Sequence, residues 1–452
     1  MVNPAGVANT DRSAGNNNAP LPVLIVGAGS AGLSLAQGLE KNGIRTMVFE
    51  KEACDAPPGR RTWAFVAAWS APILQTLLPA HLWDRIHTAF SDPSMPVKPL
   101  DYIPLTNGAT GERLTEVPLS NGHRFFRPRF RQLVSEGLDI RFGKELESLS
   151  YRDQSVEAHF ADGSSVVGRL LVGADGSRSR VRKQLLGPDL AELDRLPFGS
   201  IFVNVKYPRE QALLLRKHPL FSAMLHPNGS IAPFFIIDAP DPDHPEDWTF
   251  MMYISWAMRD DGEAAAYQGM SKRDLLRTAK ELSSVFCEPV RSAFAWVPDD
   301  ANDVYFSTMA QWDPRPPHRS WNNHGGLVTL IGDAAHPMTH RKDASPRKED
   351  KVSSEKTDRW PTLGLTSGAG LNHAIDDAGN LTRLLSAPEG RSQGQLIDSY
   401  ELEMRARAGK EVELSELNTR MLHDWSQLIK SPFLTNGFAK PKAVAAAPLA
   451  RI

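Results

Sequence analysis

Three glycine-rich passages carry the residue types that hold a diphosphate and its sugars. The first, Gly27-Ala28-Gly29-Ser30-Ala31-Gly32, has the spacing G-x-G-x-x-G and directly follows the apolar run PVLIV. In that context the glycines allow a tight turn, let backbone N–H groups close on a pyrophosphate, and let the following helix pack on its strand. The next apolar stretch, RTMVFE, ends in Glu50. A carboxylate there accepts hydrogen bonds from a ribose diol and repels a 2′-phosphate, so the tightly bound dinucleotide is expected to be FAD or NAD rather than NADP. The second passage, GADGSRSRVR, contains Asp175 and Gly176, and the third, GDAAHPMT, contains Gly332 and Asp333. Both acids follow strand-like runs, and at Asp333 a carboxylate at the strand end suits sugar hydroxyls. His336, in the third passage, is read as a hydrogen-bonded turn residue rather than a catalytic base.

The elements that must position these residues are legible from periodicity. Pro22 to Glu50 reads strand, turn, helix, strand, with Ala31, Leu35 and Leu39 at helical spacing. Residues 156–175 alternate in strand fashion into LLVGADG, and LVTLIGD from Leu327 is a further apolar strand. Leu371, Ile375, Ala378, Leu381 and Leu385 return to helical spacing, and Asp398 to Ile429 is a second amphipathic stretch. Between them, SIFVNVKY, SIAPFFIIDAP and WTFMMYISWAM are β-branched and aromatic runs separated by turn clusters. One helix is expected from Ser271, its N-cap, with Leu275, Leu276, Ala279 and Leu282 on one face.

The expected fold class is therefore α/β. A Rossmann-like dinucleotide-binding domain occupies 21–195 and 300–395, interrupted by a β-rich substrate domain at 196–299. C-terminal helices at 396–438, a disordered leader at 1–20 and a tail at 439–452 complete the chain. Core packing accounts for most of Phe234, Phe235, Trp256 and Trp296 in the β-rich part, with an aromatic pocket as the alternative.

Composition narrows the partners. The chain has 452 residues, 41% hydrophobic and 23% charged, with a formal net charge of −2. Nothing in that balance favours nucleic acid or an acidic membrane, so a small molecule is expected. Cys54 and Cys287 are the two cysteines. They form no disulfide framework and match no zinc spacing, which implies a reducing compartment and no metal. No run of about 18 apolar residues could span a bilayer, and a cytoplasmic protein is expected.

Taken together and in this order, the three passages resemble the signatures of the single-component FAD-dependent aromatic hydroxylases, the para-hydroxybenzoate hydroxylase-like flavoprotein monooxygenases. RRTWAFVAAWSAPILQTLLP and RPRFRQLVSEGLDIRFGK are similar to fungal members. The resemblance implies resident FAD, NAD(P)H as co-substrate, and O₂ as the source of an oxygen atom delivered to an electron-rich aromatic or polyene carbon. An aromatic or polyketide-like substrate of fungal secondary metabolism follows from it. It also assigns roles: Gly27, Gly29, Ser30, Ala31 and Gly32 to the pyrophosphate, Glu50 to the ribose, Asp175 and Gly176 to the pyrophosphate region and NAD(P)H use. Gly332 and Asp333 go to the ribitol. Arg61 and Arg127 match arginines that face the cofactor, with Arg60, Arg129 and Arg131 as rivals. Gly368, Gly370, Leu371 and Asn372 open a helix at the flavin pyrimidine. No catalytic side chain is assigned, because the flavin carries the chemistry. The alternatives are a flavin oxidase or dehydrogenase of the same fold, or an inactive flavin-fold protein.

One passage breaks the pattern. HPMTHR ends at Arg341 and GAGLNHAIDDA begins at Gly368, and the 26 residues between them, Lys342 to Ser367, carry 11 charges within their first 18 positions. Such composition is solvated and has no sustained period. A longer loop costs only on the order of 1 to 2 kcal/mol in closure entropy, so the stretch could loop out or act as a lid. Its position between two family-like halves favours a translated intron. The expected outcome is a mature message lacking codons 342–367; a message that retains them and yields active enzyme overturns this reading.

Overall fold

The computed structural model describes residues 20–53, 62–338, 340–342, 369–432 and 434. Cys54, Arg60, Arg61, Gly368 and the charged stretch from Asp343 onward lie outside the described residues, as do nearly all of the leader and the tail.

Short apolar runs build a five-stranded parallel sheet in the order Val328–Leu330, Leu170–Gly173, Val23–Val26 (β1), Thr46–Glu50 (β2) and Ile140–Phe142. VLIV and LLVG are buried at every position, as strands covered on both faces must be. The helix Ser30–Lys41 (α1) makes the crossover from β1 to β2 and buries Leu33, Leu35, Ala36 and Leu39. Against it lies the helix Ala369–Ser386, which buries Ile375, Ala378, Leu381 and Leu385. The two helices approach closely at Gly38, where an added Cβ would meet Thr382 Oγ1 at 2.7 Å.

The second sheet has eight strands, in the order His340–Lys342, Val304–Gln311, Asp194–Val205, Thr249–Ala257, Ile231–Asp238, Phe221–Leu225, Leu100–Asn107 and Arg113–Ser120. It is wider than residues 196–299. The hairpin Leu100–Ser120 joins through parallel pairing of Ala223–Leu225 with Leu105–Asn107. Only Ile103, Leu105, Val117 and Leu119 of that hairpin are fully buried apolar residues, so its sequence signal is weak while its packing is not. At the other edge, His340–Lys342 pairs antiparallel with Thr308–Ala310, which places Lys342 in a strand rather than at the start of the charged stretch.

Period-two alternation divides this sheet between two cores. Phe202, Phe221, Phe235, Tyr253 and Tyr305 join the core shared with the parallel sheet. Ile201, Val203, Phe234, Phe250, Met252 and Ile254 form a separate core with the helices Lys272–Ser283 and Val290–Ala295. Trp256 and Trp296 pack on that second core, so of the four aromatic residues singled out above only Phe235 faces the dinucleotide domain. Ser271 caps its helix as expected, Oγ accepting the Asp274 N–H at 3.1 Å.

The last long helix, Gln393–Leu422, starts five residues before Asp398 because Ser392 and Gln395 form a capping box. It ends on His423. Nδ1 donates to Thr419 O at 2.8 Å, and Nε2 lies 2.9 Å from Ser255 Oγ on the second sheet. Burial pushes the His423 imidazole down to about 4. A base whose folded pKa lies below its ordinary value of 6.5 stabilises the fold fully above about pH 6.5, and that contribution, on the order of 3 kcal/mol, is lost as pH falls toward 4. Thermal melts are expected to show a steeper fall in melting temperature between pH 6.5 and 4 for the natural chain than for His423→Gln.

Candidate active site

The three glycines of the first passage are not equivalent. Gly27 has φ +110°, and a Cβ there would meet Ala174 O at 2.4 Å. A Cβ on Gly32 would meet Gly27 O at 2.1 Å. Both are fixed by packing. Gly29 is different: nothing lies within 4 Å of an added Cβ, so its backbone borders open space. It is the N-cap of α1, with no side-chain cap and no acid in the first turn. The half-buried Ser30 and Ala31 form the start of that turn. The arrangement leaves a positive helix end open to an anion.

Glu50, buried at the end of β2, reaches back to the turn and accepts the Ala28 N–H at 3.0 Å. Arg131 brackets the same turn, donating to Glu50 and Glu52 carboxylates and to Ala28 O. Glu50 Oε1 takes the Glu52 N–H at 3.1 Å. Of the rival arginines, then, Arg131 sits on the glycine turn. Arg129 instead bonds Asp238 of the second sheet and Phe90 O. Arg127 is buried with its guanidinium 4.3 Å from the Trp63 ring centre.

The other two passages converge on the first. Asp175 lies beside Gly27, whose added Cβ would come within 2.9 Å of Asp175 Cα. Its Oδ2 takes the N–H groups of Arg180 and Val181 at 2.6 and 3.2 Å. Its Oδ1 is buried without a hydrogen-bond partner among the described residues, and burial pushes the carboxyl up. Gly176 follows with φ +81°, a conformation that excludes other residues at low cost. Gly332, φ +57°, leaves only 3.1 Å between an added Cβ and those of Ala31 and Ala374. Burial also raises Asp333, against the opposing charges of His336 and Arg182. Its Oδ1 lies 3.8 Å from where a Cβ on Gly370 would be, so the third passage faces the start of the helix Ala369–Ser386. Leu371 packs against the large core.

The side-chain amide of Asn372, at the start of that helix, is engaged within the protein. Its Oδ1 accepts from the Ala68 N–H, the Ser70 N–H and the Ser70 hydroxyl at 2.9, 3.2 and 2.7 Å, and its Nδ2 donates to Val66 O at 3.0 Å. The amide clamps the strand Ala64–Ala67 and the turn after it.

Three charged residues outside the sequence candidates hold the passages together. Arg182, fully buried, donates to Ser177 O of the second passage and Ala334 O of the third, and lies 5.0 Å from the Trp312 ring. Asp377 accepts the Gly332 N–H at 2.8 Å and faces His336 Nε2 at 2.6 Å, while Arg407 donates to its other oxygen at 2.7 Å. Burial opposes the Asp377 charge, yet His336 and Arg407 hold it well below the usual carboxylate range. Arg407 also reaches His373 Nδ1 at 2.7 Å. A guanidinium only donates, so Nδ1 is the bare nitrogen of His373 and its proton sits on Nε2. His336, held by Asp377 and by its own N–H to Gly332 O at 2.9 Å, is the turn residue that the sequence suggested. Acids and arginines on apolar helix stripes were the available signal: Asp377 falls between Ala374 and Ala378, and Arg407 is three residues past Met404.

The profile of the FAD binding domain family matches residues 20–64 and 130–340. The FAD-dependent monooxygenase cctM of Talaromyces islandicus is 33% identical over 420 residues, which cover 92% of this chain and 96% of that protein. The chain belongs to the FAD-dependent monooxygenases. A second fungal relative, phnB of Penicillium herquei, is also 33% identical, over 92% of this monooxygenase and 94% of its own length. Klebsiella pneumoniae HpxO, solved with FAD and uric acid, shares the fold of the monooxygenase at 18% identity, with a TM-score of 0.65 and 92% coverage of each chain. FAD is the cofactor, and the residues present fit it: an uncapped helix end, an open Gly29 and an unpaired buried oxygen on Asp175.

Replacing Arg407 with Met would leave the buried Asp377 without its guanidinium partner, with only His336 and the Gly332 N–H against its charge. The expected loss in unfolding free energy is about 3 to 5 kcal/mol, measured by denaturant titration, with Arg407→Lys recovering part of it.

Proposed function

We propose that this monooxygenase holds the FAD pyrophosphate on the Gly27–Gly32 turn, the adenosine ribose at Glu50 and the ribitol at Asp333. Asp175 and Gly176 flank the pyrophosphate, and the Gly370–Asn372 backbone opens the helix that borders the flavin. The observations that carry this reading are the open space at Gly29 and the buried oxygen of Asp175, next to Gly27, that has no hydrogen-bond partner among the described residues. Bound FAD supplies redox and oxygen-transfer chemistry that side chains lack. The protein's share is to bind, orient and exclude water. Backbone N–H groups at the start of α1 offset the diphosphate charge without a side-chain cation. Glu50, already fixed by Ala28 and Arg131, presents a held rather than mobile acceptor.

NAD(P)H and O₂ are the proposed co-substrates, and the organic substrate is an electron-rich aromatic or polyene molecule of fungal secondary metabolism. Support comes from the fungal relatives and from the five aromatic residues that the second sheet turns toward the dinucleotide domain. Among the described residues no helix is long and apolar enough to cross a membrane; the cytoplasm is the compartment we infer, from the sparse cysteines. The domain division follows the two sheets, with the hairpin Leu100–Ser120 assigned to the substrate side.

Gly29→Ala is expected to keep the fold and its melting temperature while weakening FAD binding at least about tenfold, because the methyl group fills the approach to the backbone. Gly32→Ala is expected to lose stability, through its contact with Gly27 O. Flavin absorbance after gel filtration and thermal melts separate the two. Equal FAD content in Gly29→Ala and the natural chain would remove the pyrophosphate from this turn. Oxidation of NAD(P)H that no member of a phenol and polyketide panel stimulates would count against the hydroxylase reading.

A further inference from the structure

The helix Gln393–Leu422 has two unlike faces. Met404, Ala408, Val412 and Ser415 are buried, and from the same side Arg407 reaches Asp377 and Glu411 faces His373 Nε2 at 3.8 Å. On the opposite side Leu402, Ala406, Lys410, Glu413, Leu417 and Arg420 are all exposed. They advance by four, four, three, four and three residues. With 3.6 residues per turn they stay within an arc of about 80° over roughly 27 Å of helix. Leu402 is 71% exposed and Leu417 46%; among the described large apolar side chains only Ile429, at 74%, exceeds Leu402. Scattered apolar residues are ordinary on a surface. Two on one stripe, one on each side of a Lys–Glu pair, make a pattern.

That pattern is self-complementary. When two such helices lie antiparallel about a two-fold axis between Glu411 and Val412, each contact is made twice, residue i of one chain on j of the other and j on i. Lys410 then stands opposite Glu413 of the second copy, and Glu413 opposite its Lys410, at the centre of the pair. Farther out Ala406 stands opposite Leu417, a small side chain receiving a large one, and Leu402 lies over Arg420 and the half-buried Met421. A parallel pairing would set Lys410 against Lys410 and Glu413 against Glu413, so the charges select the antiparallel one. Glu413 is steadied for this part: Oε2 accepts from Arg315 at 2.9 Å while the side chain stays 70% exposed. With Glu403 beside it the stripe carries two acids and two bases, which offers nothing to a polyanion or an acidic membrane.

We propose that this stripe is the surface through which two copies of the chain associate, as an isologous antiparallel helix pair. One helix pair of this length falls at the low end of interface sizes, below about 1,200 Å² in total, so the dimer is reversible, with a dissociation constant on the order of 10 μM. The helix then has two tasks. Its inner face holds Asp377 through Arg407, and its outer face meets the second copy.

The test is sedimentation velocity on the full-length protein between about 1 and about 100 μM, a range that brackets the expected constant. The natural chain should pass from one chain to two across it. Leu417→Glu should weaken association at least about tenfold and leave the melting temperature unchanged, because the side chain it replaces is exposed. Lys410→Glu and Glu413→Lys each set like charges opposite one another, and each alone should stay monomeric. An equimolar mixture of those two variants should associate, since each supplies the charge that the other lacks. Rescue by mixing needs two folded chains, so it separates a lost contact from a damaged helix. A natural chain that stays monomeric over the whole range, single variants that associate as tightly as it does, or a mixture that does no better than its components overturns the contact.

Discussion

A single buried negative charge organises this fold. Asp377 has no contact with solvent, and a carboxylate in that position persists only if donors surround it. The donors come from separate parts of the chain: the Gly332 N–H, the His336 ring and the Arg407 guanidinium. Satisfying one charge therefore fixes the strand-to-turn junction at Gly332, the helix that carries Asp377 and the C-terminal helix that carries Arg407. Arg182 does the complementary work on the other side, its cation saturated by carbonyls of the second and third passages. Between these two buried ions the loop from Gly332 to Ala334 has little freedom, and Asp333 is presented from a fixed backbone.

Close backbone approach is the second constraint, and it explains which glycines are structural. Gly27 and Gly32 are fixed by carbonyl oxygens 2.4 and 2.1 Å from where a side chain would begin. Gly332 is wedged between Ala31 and Ala374. These contacts bring three passages separated by about 150 residues each into one place. Gly29 alone of the first set faces open space, and so its smallness answers to something other than the fold.

Much of this was legible in the sequence, and for identifiable reasons. The parallel sheet announces itself because VLIV and LLVG are buried on both faces, and the turn passages because glycine spacing is a local property. Ser271 and the apolar stripe of its helix were readable for the same reason. What escaped is non-local. The hairpin Leu100–Ser120 has few buried apolar residues and finds its place only through pairing with a strand more than 100 residues later. Asn372 sits in a glycine-rich loop motif that suggests a cofactor, yet its amide is taken up by Val66, Ala68 and Ser70, about 300 positions earlier. Asp377 and Arg407 stood out only as charges on apolar stripes; the partnership between them needs the fold.

The alternation of the second sheet has a consequence for how such a protein can diversify. Phe234 and Phe235 are adjacent in the chain but belong to different cores. The sheet is thus a partition wall. Side chains on the even-numbered side of the strand Ile231–Asp238 answer to the helices behind it, and those on the odd side answer to the dinucleotide domain. Selection can recut the inner surface for a new guest, one odd position at a time, while the outer surface keeps the wall standing.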